Sequence, residues 1–198
     1  MNFLKGEGKM PNITAIAGIV AGILSFAAYI PLVLAIKSKK ARPNRATWII
    51  WSMVTILITI SYYASGARDT IWVPLIYGIC SFIIAILSLK HGEGGWTPFD
   101  RWCLAGAGLS ALLWWCFNSP LIALFMNITI DFIGALPTIR KSYHDPEGED
   151  KITWGLFFAG SIANVFAINE WTITIALYPI LQVVIIGIIT RLVFRKHK

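Results

Sequence analysis

Residues 13–36 read ITAIAGIVAGILSFAAYIPLVLAI, 24 residues without a charge. A hydrocarbon core of about 30 Å is crossed by about 20 helical residues. Lipid offers no hydrogen bonds, so the backbone of such a run must satisfy itself as a helix. Further apolar runs lie near 46–64, 70–89, 102–117, 121–139, 152–168 and 171–194. Seven transmembrane helices are therefore expected. Composition agrees: only 14% of the 198 residues are charged, against about 25% in a typical soluble domain. The expected class is an all-α integral membrane protein.

The net charge of +7 does not point to nucleic acid, because the basic residues sit in short loops between apolar runs, where they set topology. Seven spans place 14 of the 17 basic residues on one side, leaving Lys5, Lys9 and Arg68 on the other. If the short fourth run, WCLAGAGLSALLWWCF, did not cross, the split would be 7 against 10 and the bias would vanish. Cytoplasmic loops are rich in Lys and Arg, so the N-terminus is expected outside and the C-terminus in the cytoplasm. The 12 Lys-bearing residues before the first run are then an extracytoplasmic segment, and 195–198 a cytoplasmic tail. That first run is too long for a signal-peptide core, and no small-residue cleavage site follows it. Short loops and compact size suggest a prokaryotic plasma membrane. Trp72 and Trp171, at the outer ends of their spans, with Trp114, Trp115, Trp96 and Trp102, read as interfacial belt residues.

Two 18-residue stretches, PLVLAIKSKKARPNRATW from Pro31 and PTIRKSYHDPEGEDKITW from Pro137, share a plan 106 residues apart. Each begins with Pro, carries a basic cluster and a second Pro, and ends in Thr-Trp. The likeness extends further: Pro31 to Pro74 is 43 residues and Pro137 to Pro179 is 42. Residues 13–89 and 121–194 thus read as two three-helix bundles, each starting outside. Two such units run parallel only if a single span joins them, which gives 90–120, the fourth span, its role. The architecture expected is a 3+1+3 parallel repeat. Internal repeats of this kind mark transporters, with the site between the repeats near the midplane. Matched Pro kinks at Pro31, Pro74, Pro137 and Pro179 suit a bundle that hinges.

This 3+1+3 plan, with Pro at the inner end of the first helix of each repeat, resembles the SWEET and PQ-loop transporter superfamily over residues 13–194. The resemblance implies a divergent bacterial or archaeal carrier of a small solute. The family's Pro-Gln dipeptide is here Pro31-Leu32 and Pro137-Thr138. The Asn that SWEETs place on the third helix of each repeat is replaced by Tyr77 and Gln182. Sugar recognition is therefore not carried over.

Polar groups inside the spans are the candidate site. Asp131 lies near the middle of the fifth span, with Asn127 and Thr138 on its face. The matching face of the first span holds Ala21, Ser25 and Leu32. A protonatable carboxyl facing a cavity implies proton coupling or a partner for a cationic substrate; the alternative is hydrogen-bonded structural glue. The second span aligns Trp48, Ser52, Thr55, Thr59 and Tyr62 on one face, although Ser and Thr also bond their own helix. The sixth span offers Trp154, Phe158, Ser161 and Val165, with Asn164 beside them. Asn164 and Gln182 are costly to bury without partners and suit hydroxyl or carboxylate recognition. Trp48 and Trp154 form a matched pair, either stacking on substrate or belonging to the inner belt.

Cys80, Cys103 and Cys116 form no C-x-x-C pair, and His91, His144 and His197 make no ligand cluster, so neither a disulfide framework, a metal nor a cofactor is expected. The basic loop KSKKARPNR suits anionic lipid head groups. In the loop RKSYHDPEGED, the acids Asp145, Glu147, Glu149 and Asp150 are expected to pair with Arg140, Lys141 or the first loop. An enzyme is not expected: the chain has no Walker loop, H-E-x-x-H or G-x-S-x-G. The last span has no Lys for a retinal Schiff base. The function expected is a small-solute transporter or facilitator working by alternating access. A receptor or sorting protein, or a structural subunit, on the same fold is the alternative. Homo-oligomerisation is left open.

Overall fold

The computed structural model describes residues 13–94, 96–116 and 120–195. The segment 1–12 and residues 196–198 of the tail, with His197, lie outside the described residues, as do the side chains of Trp114 and Trp115. Among the described residues, seven α-helices follow one another: α1 Ile13–Lys37, α2 Arg45–Ala64, α3 Trp72–His91, α4 Pro98–Cys116, α5 Pro120–His144, α6 Lys151–Phe166 and α7 Ile173–Val193. Two single 3₁₀ turns, Asp69–Ile71 and Pro146–Gly148, lead into α3 and α6. No strand occurs among the described residues; Asn44 and Glu93 meet in an isolated bridge.

Polar side chains in the loops start the helices. Asn44 caps α2 by accepting from the Thr47 amide at 3.2 Å, Asp150 caps α6 through Thr153 at 2.7 Å, and Thr172 caps α7. Each satisfies an amide that has no intrahelical partner. At α4, Thr97 and Asp100 exchange side-chain-to-amide bonds, both 3.2 Å, around Pro98. This is a capping box with Pro in the first turn. It moves the start of α4 ahead of the expected 102. Hydropathy also ends the fifth span at 139, where the charges begin, but α5 continues to His144. Charged residues form helix as readily as apolar ones; they end the apolar run, not the helix.

Among the described residues, four stretches are long and apolar enough to cross a membrane: Ile13–Lys37, Arg45–Ala64, Asp69–His91 and Ile173–Val193. Large apolar side chains cover their outward faces, including Ile19, Ile23, Phe26 and Ile30 on α1 and Ile79, Phe82, Ile83 and Ile86 on α3. Helices apolar on both faces belong in lipid, so this is a membrane protein.

α3 packs on both α1 and α2, and α7 on both α5 and α6. α1 lies against α6, α2 against α5, and α4 mainly against α5. Small residues let the α1–α6 and α2–α5 seams close. A Cβ on Gly160 would come within 2.9 Å of Ser25 Oγ, and one on Gly134 within 2.6 Å of Ile50.

Candidate functional site

Six helices converge on a cavity lined by Tyr29 of α1, Trp48 and Trp51 of α2, Tyr77 of α3, Asp131 of α5, Trp154 and Phe157 of α6, and Gln182 and Ile186 of α7. Its free volume is ≈ 10 Å³, the room of about one water. The site is therefore closed in this conformation.

Aromatic rings build the walls. Tyr29, Trp48, Trp51, Trp154 and Phe157 form a circuit of neighbouring rings, each pair edge to face, with centroids 5.0 to 6.5 Å apart. Tyr77 stands against both Tyr29 and Phe157. Edge-to-face pairs match the positive rim of one ring to the negative face of the next. The polar ends of three rings have protein partners. Trp51 Nε1 donates to the Asp131 carbonyl at 3.1 Å, Trp154 Nε1 to Glu149 Oε2 at 2.9 Å, and the Tyr29 and Ser81 hydroxyls lie 3.0 Å apart.

Asp131 supplies the acidic side chain of the lining. Gln182 Nε2 donates to its Oδ2 at 2.9 Å and to the Tyr178 hydroxyl at 3.2 Å. Among the described residues no ion pair includes Asp131, which is 3% exposed.

Ion pairs gather beside the first turns of α2 and α6. Arg42 pairs with Asp145 and, at 3.2 Å, with Glu93; Lys141 pairs with Glu149 at 2.7 Å and reaches Glu93 at 3.5 Å. Lys141 also donates to the Arg42 carbonyl and, at 2.8 Å, to that of Gly148. Three loops are tied together, and Glu149 connects the tie to Trp154 in the cavity wall. Asp145 and Glu149 thus pair with the first loop and with Lys141, as expected, whereas Asp150 is engaged as a helix cap. At the other end of α2, Tyr62 donates to the Ile175 carbonyl at 2.5 Å.

Five of the expected residues meet at the cavity: Trp48, Tyr77, Asp131, Trp154 and Gln182. Trp48 and Trp154 are 2% and 1% exposed, which removes the belt alternative for both. Trp72, Trp96, Trp102 and Trp171 are exposed, as belt residues are. Asn127 is buried and donates to Ser61 Oγ at 3.2 Å. The Thr55 and Thr59 hydroxyls bond the carbonyls of Trp51 and Thr55, one turn back. Neither lines the cavity. Asn164 is fully buried, and neither end of its amide has a hydrogen-bond partner. Pro31, Pro137 and Pro179 lie inside α1, α5 and α7. Pro74 falls in the first turn of α3, where the missing N–H costs no intrahelical bond.

Sequence reasoning passed over Trp51, Phe157 and Tyr29. The signal for the first two was present: each follows a matched Trp by three residues, one turn along the same face. Among the described residues Cys80, Cys103 and Cys116 are unpaired, and no group of His, Cys, Asp and Glu is placed to hold a metal.

No protein-family model matches this chain, and searches of curated proteins and of solved structures returned no match.

Proposed function

We propose that the protein is a small-solute membrane transporter that works by alternating access, and a divergent relative of the SWEET and PQ-loop carriers. In this reading all seven helices cross, with the N-terminus outside and the C-terminus in the cytoplasm. α1–α3 and α5–α7 are the two units, and α4 joins them. The single observation that carries the proposal is the closed cavity at the meeting of six helices, holding a carboxyl that no cation among the described residues neutralises. A carboxyl without a counter-ion is costly inside a membrane and is retained where solute or protons pass.

The packing supports two matched units. α3 bears the same relation to α1 and α2 that α7 bears to α5 and α6. The lining also falls into pairs: Trp154 and Phe157 stand at the same sequence offset from Trp48 and Trp51 as Pro137 from Pro31. The three-loop tie then acts as the cytoplasmic gate, and positive loops around it fit the inner leaflet.

Reconstitution into proteoliposomes tests this. Radiolabelled sugars, amino acids, nucleosides and amines would be offered to wild type and to Asp131→Asn. Saturable uptake of one class, reduced at least about tenfold in the variant, is expected. Uptake no greater than in protein-free vesicles for every class would favour a receptor or structural subunit.

A further inference from the structure

We propose that the central cavity takes a small monovalent organic cation, an amine or quaternary ammonium without an acidic group; this rests on the reading above that the cavity is the solute site. Three observations narrow the chemistry.

The first is charge. The lining contains one acidic side chain, Asp131, and no Lys, Arg or His. A cation entering the cavity gains a counter-ion. The carboxylate of an amino acid or other zwitterion would enter with nothing to pair it, and buried unpaired charge is strongly disfavoured.

The second is the ring circuit. Five rings adjoin one another around the cavity, with Tyr77 against two of them. Aromatic faces attract ammonium groups, and cages of several rings are a recognised way to hold alkylated amines.

The third is the shortage of free hydrogen-bonding groups. A sugar needs several fixed donors and acceptors. Here the Trp51 and Trp154 N–H groups and the Tyr29 hydroxyl already have protein partners, and the Gln182 amide nitrogen is shared between Asp131 and Tyr178. What remains is π face, one carboxyl and the Tyr77 hydroxyl, which has no hydrogen-bond partner, too few fixed groups for a sugar. A methylated ammonium asks for that and little more.

The test compares cations with a neutral body of the same shape. Purified wild-type protein would be titrated calorimetrically with tetramethylammonium, choline, 3,3-dimethylbutan-1-ol (the neutral carbon isostere of choline), glucose and glycine. Choline is expected to bind at least about tenfold more tightly than its isostere, because a nearby charge pair in a protein is worth more than one tenfold step. Asp131→Asn should remove that preference. Trp48→Leu should weaken cation binding by about threefold or more. Equal affinity for choline and its isostere, or no binding of either cation, overturns the proposal, and this comparison needs no variant to fold. The two readings fail separately. Asp131-dependent uptake of a neutral solute or zwitterion, without cation binding, overturns the cation assignment and keeps transport. Cation binding without flux in proteoliposomes keeps the assignment and overturns transport.

Discussion

Lys141 shows how much one side chain carries. Its side chain is 7% exposed, and its ammonium lies 2.7 Å from the carboxylate of Glu149, whose side chain is 3% exposed, and binds two loop carbonyls. Removing one member of a buried ion pair strands the other, at a cost of about 3–5 kcal/mol. Lys141→Met is therefore expected to lower the melting temperature in detergent markedly. Lys141→Arg, which keeps the charge, should lose less; a Met variant that melts like wild type would show that the pair is solvated. At this scale the sequence was partly legible. Asp131 and Gln182 stood out because an ionisable or amide group in an apolar run needs a reason to be there. That they bond each other was not legible, since the contact joins α5 to α7 and depends on how the helices pack. Thr55 and Thr59 show the converse. Their spacing marks a face, but a hydroxyl on a helix can turn back to its own carbonyls, and both do.

Among the elements, the glycines separate contact from propensity. Gly160 and Gly155 both lie in α6, but a Cβ at Gly155 meets only Phe194, at 3.9 Å, whereas one at Gly160 meets Ser25 of α1 at 2.9 Å. Gly155→Ala should stabilise the protein by up to about 1 kcal/mol through helix propensity. Gly160→Ala should destabilise it by about 1–3 kcal/mol through overpacking. Thermal melts of the two variants check this, and shifts of the same sign would refute the close α1–α6 seam. The prolines divide similarly. Pro179 interrupts α7 whereas Pro74 only opens α3, so Pro179→Ala is expected to change transport rate and Pro74→Ala to leave it within about twofold of wild type. Helix existence followed from apolar length alone. Helix ends did not, because caps such as Thr97–Asp100 and the charged last turns of α5 lie outside the apolar runs.

For the whole molecule, the pattern shared by residues 31–48 and 137–154 and the closed cavity meet in the proposed picture of two units around one site. The shared pattern was legible because Pro and Trp recur at fixed offsets. The closed state was not, since ≈ 10 Å³ of free space is a property of packing and not of pattern. Alternating access requires that this space open in turn to each side. Site-specific labelling measures that without knowing the solute. Ile186 lines the cavity and is 2% exposed. Ile186→Cys, in a chain with Cys80, Cys103 and Cys116 changed to Ala, would be exposed to a membrane-impermeant maleimide from either face of sealed, oriented vesicles. Alternating access predicts modification from both faces. Modification from one face alone, or from neither, would contradict it.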